Sequence, residues 1–180
     1  MPDLLFKRPE PTEYFSYYEK YVRLVPETDI IAALQSQLQN TLTLLRGISA
    51  EKAVFRYAAG KWSIKEVVGH LIDSERVFAY RALRFARSDQ APLAGFEQDD
   101  YVRAASFDDY PWNDLIDDFE QARKSSVSLL RHLKPEAWQR RGVANNNPIT
   151  VRALAYIIVG HERHHLEQLR ARYLSPSNQS

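Results

Sequence analysis

Cysteine is absent from this 180-residue chain. That excludes a disulfide scaffold, a cysteine-based zinc finger and a thiol nucleophile together, so any bound metal must be held through nitrogen and oxygen. Neither sign of charge dominates: 24 Lys and Arg are interspersed with 23 Asp and Glu, for a net charge of +1. Without a basic stripe, nucleic acid is not an expected partner. No apolar stretch reaches the roughly 18 residues that a membrane span needs. The N-terminus, MPDLLFKRPEPTEYF, lacks the basic segment and apolar run of a signal peptide. The expectation is a cytoplasmic protein with no membrane partner, built as one domain large enough to bury a core without staples.

Four long helical patterns fill the chain from Asp29 onward. The first runs from about Asp29 to Arg46, with Ile31, Leu34, Leu38, Leu42 and Leu45 spaced by three or four; Thr28 suits its N-cap and Gly47 its stop. The second opens at Ser63, where Ser63 and Glu66 form a capping box, and continues to about Arg87. The third follows Tyr110, with Pro111 at its first helical position. The fourth runs from Thr150 to about Tyr173. These stripes predict helices packed at a shallow angle in a bundle, and no segment alternates as a strand would.

Residues 1–28 carry four prolines and the cluster Tyr14, Phe15, Tyr17, Tyr18 and Tyr21, which predicts an arm or short helix, capped at Thr12, laid on the bundle through its aromatics. The bundle itself spans 29–175, and 176–180 read as a disordered tail. Ser88 to Tyr110 is a long connection of the kind that is functional or partly structured. A weak internal repeat is also visible. Each half has a long helix, a short turn, a loop, a Ser or Thr cap and a second long helix bearing a Gly-His pair.

The histidines carry the chemistry. His161 and His165 are four residues apart, so they share one helix face about 40° apart, continuing the stripe of Leu154 and Ile158. Two imidazoles buried side by side need polar partners, and one metal ion can satisfy both lone pairs. His164 is the alternative partner of His161 at i, i+3. His132, beside Arg131 and Lys134, reads as a solvated residue at a helix C-terminus. His70 lies at core spacing on the second helix, and the repeat would place it across from His161. Imidazoles without thiolate or carboxylate suit zinc, nickel, iron or copper, and three protein ligands leave positions open. Nearby carboxylates are candidates for acid–base work or for orienting a ligand histidine: Asp73, Glu75 and Glu97 foremost, with Glu162, Glu167, Asp99 and Asp100. Metal binding by free imidazoles should weaken as pH falls through about 6.

The runs GKWSIKEVVGHLIDSERVFAYRALRFAR, PLAGFEQDDYV and VRALAYIIVGHERHHLEQL, in that order, resemble the DinB-like superfamily in its YfiT-type branch of metal-dependent hydrolases. The resemblance covers about Arg8 to Tyr173. It implies an all-α, up-down-down-up four-helix bundle, often a homodimer, with one nickel or zinc ion on three histidines. The family's ligands fall on His70 of GHLIDSE and on His161 and His165 of GHERHHL. Some relatives are thiol S-transferases that use low-molecular-weight thiols. The leading expectation is therefore a metal-dependent transferase or hydrolase that activates a thiol cosubstrate or water against a small-molecule substrate. The alternative is a non-catalytic binding or stress-response module that the metal staples. A homodimer is expected from the resemblance, helped by Val68, Ile72 and Ile157 as apolar flanks that need cover.

Overall fold

The computed structural model describes residues 7–175; the tail at 176–180 and residues 1–6 of the arm lie outside it. In chain order the helices are α1 (Glu19–Val22), α2 (Ile30–Arg46), α3 (Ala50–Ala53), α4 (Ile64–Ala86), α5 (Gln98–Ala105), α6 (Trp112–Arg131) and α7 (Val151–Gln168). The four long ones, α2, α4, α6 and α7, form the bundle, and each has a chemical reason to start where it does. Ser63 and Glu66 exchange side-chain and backbone hydrogen bonds in the expected capping box at the head of α4. Thr150 caps α7 by accepting from the Ala153 N–H. At α2 the cap is Asp29 rather than Thr28: its carboxylate accepts from the Ala32 N–H at 3.0 Å. Pro111 precedes α6 as its N-cap in extended backbone and is not its first helical residue. Thr12 caps nothing; it sits inside a 3₁₀ turn, Pro11–Glu13, whose capping box is made by Glu10 and Glu13.

Cross-links between helices fix their directions. Thr41 and Gln37 of α2 reach Glu162 and Val159 of α7, so these two run parallel. Leu34 bonds Arg123 while Arg46 pairs with Glu120, and Trp112 donates to Ile48, so α2 and α6 are antiparallel. Lys65 reaches Tyr110, and Glu75 binds Arg123 further along, so α4 and α6 are parallel. Trp62 meets Tyr173 while His70 meets His161, so α4 and α7 are antiparallel. The result is an up-down-down-up bundle, α2 up, α4 and α6 down, α7 up. Two parallel neighbours joined in sequence need a return connection the length of the bundle, and the segment between α4 and α6 supplies it.

That connection is partly structured, carrying α5 and a 3₁₀ turn, Phe107–Asp109. It is pinned to an element the sequence reading did not foresee. Residues Arg141–Ala144 (β1) and Asn147–Thr150 (β2) form an antiparallel hairpin with Ala144 opposite Asn147. Its two-residue turn, Asn145 and Asn146, has both φ angles positive, 48° and 61°. This is the type I′ geometry that asparagine tolerates and that matches the twist of paired strands. Leu93 then bonds β1 and the turn, accepting from Asn145 and donating to Val143, both at 2.9 Å.

The arm lies on α7. Arg152 binds Glu13, and Arg163 binds both Glu27 oxygens and the Leu24 carbonyl. Tyr14 and Tyr21 are buried there, whereas Phe15 and Tyr17 stay exposed. Val68, Ile72 and Ile157, expected as flanks for a partner chain, are at most 1 % exposed within this one chain. Phe107, in the connection, and Tyr21, in the arm, share their core clusters, so these residues give no reason for a dimer. Among the described residues no helix is long and apolar enough to cross a membrane.

Candidate metal centre

His70, on α4, meets His161 and His165, on α7, in the interior of the bundle. His161 Nε2 lies 3.0 Å from His70 Nε2 and 3.1 Å from His165 Nε2. His70 and His161 are buried, and His165 is partly so. The glycine before each of His70 and His161 lets a neighbouring segment come close. A Cβ on Gly160 would sit 2.1 Å from the Tyr21 carbonyl oxygen, and one on Gly69 would sit 2.3 Å from the Phe107 ring. The Gly-His pairs are thus places where the arm and the connection press directly on the helix backbone.

Three ring nitrogens that converge in this way pose a protonation problem. Burial pushes His70 down to about 4. Burial, with repulsion from His70 and His164, pushes His165 down to about 3. His161 is depressed well below the ordinary histidine range, first by burial and then by its two neighbours. All three are therefore neutral at pH 7. A neutral imidazole has one N–H, so His161 Nε2 can satisfy one neighbour but not both, and lone pairs are left facing each other. A cation accepting all three lone pairs would remove that conflict. The spacing suits such an ion: two nitrogens each about 2.1 Å from one metal lie roughly 3.0–3.4 Å apart for octahedral to tetrahedral angles. Proton competition should set in below the pH of about 6 expected for free imidazoles, because burial already disfavours the charged rings.

The other histidines lie elsewhere. His164 is partly buried, with Nε2 2.7 Å from the Gln168 amide and its ring edge-on to Tyr21. His132 is exposed at the end of α6, 2.7 Å from the Ser128 carbonyl. Neither joins the cluster.

The candidate carboxylates are dispersed. Glu75 is buried with both oxygens on Arg123, at 2.8 and 2.9 Å. Glu162 is buried too, accepting from Arg123, Gln37 and Thr41. Asp73 is partly buried near Arg76, and burial raises its pKa. Glu97 and Asp99 are exposed on the connection, where they line the cavity described below. Asp100 pairs with Arg103 at the surface, and Glu167 is exposed. None of them hydrogen-bonds a clustered histidine among the described residues. The group beside His70 Nδ1 is instead the buried Ser74 hydroxyl, at 3.4 Å.

His70 and His161 open onto a cavity of about 360 Å³. Its walls come from the arm (Tyr18, Tyr21), from α4 (Ser74, Phe78, Arg81), from the connection (Phe96) and from the hairpin turn (Asn145). Behind His161 lies a second cavity of about 10 Å³, bounded by Glu75, Arg123 and Glu162, about the volume of one water. The sequence reading did not single out Ser74, Arg81 or Arg123. A signal existed for Arg81: His70, Ser74, Phe78 and Arg81 fall at i, i+4, i+8 and i+11, a single stripe of α4.

Fold and site together define a helical bundle with a convergent tri-histidine cluster at the end of an open cavity. Residues 33–169 match the family model of the DinB superfamily, and the chain belongs to that superfamily. Among solved structures it is similar to YfiT from Bacillus subtilis, with a TM-score of 0.66 and 16 % identity, over 93 % of this chain and 97 % of that one. That protein is described as a probable metal-dependent hydrolase with an unusual four-helix bundle topology. At this identity the likeness concerns the fold. No curated protein matches the chain by sequence.

Proposed function

We propose that the chain is a metal-dependent enzyme in which His70, His161 and His165 hold one divalent transition ion, nickel or zinc, and in which the cavity beside them takes a small-molecule substrate. The observation that carries this reading is that two of the three histidines face a cavity of substrate size, where a purely structural metal would be enclosed. When bound, such an ion supplies Lewis acidity, lowering the pKa of a water or a small thiol so that it becomes a nucleophile near neutral pH. The chain's own contributions are separate. Ser74 steadies the His70 ring, while Tyr18, Phe78 and Phe96 exclude water from the substrate's apolar body. Of the three foremost carboxylates Glu97 is the one that lines the cavity, beside Asp99, and so is a group positioned to take a proton; Glu75 is held by Arg123. Cytoplasmic location and a homodimer belong to the same reading through the family, and scattering across concentrations tests the latter.

The test compares metal-loaded and chelated protein on a panel of esters, amides and electrophiles, with and without a small thiol. Hydrolysis proceeds without thiol, whereas transfer requires it and saturates with it. Turnover that is lost on chelation and restored by the ion supports the reading. If metal removal changes only the melting temperature across the panel, the stapled binding module replaces it.

A further inference from the structure

Three arginines are buried among the described residues: Arg81, Arg123 and Arg152. Arg123 is matched by Glu75 and Glu162, and Arg152 by Glu13. Arg81 is 3 % exposed, yet no Asp or Glu oxygen lies within 4 Å of it among the described residues. It donates to the Ala94 carbonyl at 2.9 Å, and its guanidinium lies about 6 Å from the ring centres of Phe78 and Phe96. The Tyr18 hydroxyl is a further hydrogen-bonding neighbour, and a neutral one. A guanidinium does not lose its proton in a protein. This one is therefore a permanent cation, taken out of water and left without a counter-ion, in the wall of the cavity that His70 and His161 also line. Buried charges are ordinarily paired, because the desolvation of an isolated one is uncompensated.

We propose that Arg81 is the anchor for a carboxylate on the substrate, so that the cavity takes monocarboxylates with an apolar or aromatic body. This rests on reading the cavity as the substrate site. The chemistry of the wall selects the class. The planar fork of a guanidinium matches a carboxylate through two parallel hydrogen bonds. No lysine or second arginine is among the residues lining the cavity, whereas Glu97 and Asp99 are, so at the Arg81 end, away from the histidines, a monoanion is matched in charge and a phosphate dianion is not. Tyr18, Phe78 and Phe96 supply apolar surface between. Position sets the substrate's layout. Arg81 is eleven residues beyond His70 on the same stripe, about 16 Å along the helix axis, and its side chain leans back toward the histidines. The carboxylate thus sits several bonds from the group presented to His70 and His161, as a handle rather than as the reacting centre.

The test uses the full chain, stripped of metal by chelation so that no ion can bind the probe, with calorimetric titration of phenylacetate and of its neutral isostere phenylacetamide. The expected result is at least about tenfold tighter binding of the acid. In Arg81→Gln the acid should fall to the level of the amide, and Arg81→Lys should keep part of the preference. Equal affinities in the wild type, no measurable binding of the acid at millimolar concentration, or a preference that survives Arg81→Gln would each overturn the proposal. The wild-type ratio decides the matter even if Arg81→Gln folds poorly. Metal content, measured on the same variants before chelation, should be unchanged by either Arg81 substitution. A wild type that binds no ion but prefers the acid would sink the metal reading and leave this one standing.

Discussion

Helices α4 and α7 each contribute to two polar clusters, which differ in how their groups are satisfied. Behind His161, Arg123 spends its guanidinium on Glu75, Glu162 and the Leu34 carbonyl, while Gln37 and Thr41 also donate to Glu162. In front, three neutral imidazoles point the same kind of atom at one place and cannot all be partnered. The first cluster is closed by residues from four helices, and the cavity beside it, about 10 Å³, has room for no more than a water. The second leaves lone pairs free for a group from outside the chain. A buried polar group therefore signals a binding site by what it lacks, and by that criterion Glu75 is structural although it is close to the histidines.

The contrast can be broken most forcefully from the saturated side. Arg123→Met leaves two buried carboxylates facing each other and should cost about 3–5 kcal/mol in urea unfolding, the range for removing one member of a buried ion pair. His161→Ala should cost the metal-free protein less. A reversal of that order would contradict the division of roles.

Acidity separates the clusters next. The clustered histidines have folded-state pKa values depressed below the unfolded value near 6.5, to about 4 for His70 and about 3 for His165. As pH falls below 6.5 the unfolded chain takes up protons that the folded chain refuses. Stability of the metal-free protein is thus full above pH 6.5 and declines as pH falls toward 4, by up to about 1.4 kcal/mol per pH unit for each histidine. Denaturant midpoints at pH 7 and pH 5 measure this; saturating zinc should raise both midpoints without shrinking the difference between them, because zinc-bound rings stay unprotonated while the unfolded chain still takes up protons. Equal midpoints at the two pH values would show that the rings are not buried neutral.

Two smaller effects sharpen the comparison. Gly160→Ala places a Cβ against the Tyr21 carbonyl. It should destabilise by about 1–3 kcal/mol, as overpacking does, and weaken metal affinity by displacing the arm beside His161, with the Arg123 cluster intact. Unchanged affinity would mean that the arm does not support the site. Ser63→Ala removes the α4 cap and should cost about 1 kcal/mol with metal affinity unchanged, since both clusters lie further along the helix.

How much of this was legible in the sequence depended on range. His161 and His165 could be read because one helix carries both, on a stripe already marked by Leu154 and Ile158. The Ser63 box and the Thr150 cap were equally local. Glu75 could not be recognised as half of an ion pair, because Arg123 lies 48 residues away and ionic matching leaves no periodic trace. A lone arginine in a helix reads as surface; Ala94 and Phe96 of the connection and Tyr18 of the arm, all distant in sequence or off the helix, are what enclose Arg81. The hairpin itself was missed because strands of four residues are too short for alternation to register, although the paired asparagines carried its turn chemistry. Val68, Ile72 and Ile157 misled in the opposite direction: their apolar character was real, but segments of the same chain cover them.

The central claim is that three histidines form one metal site, and metal stoichiometry tests it most directly. Purified protein, loaded with zinc or nickel and dialysed at pH 7, is assayed by elemental analysis beside five single alanine variants. The account requires one ion per chain in the wild type, in His164→Ala and in His132→Ala, and loss of that ion in His70→Ala, His161→Ala and His165→Ala. Full occupancy in His70→Ala, or loss in His164→Ala, would contradict it.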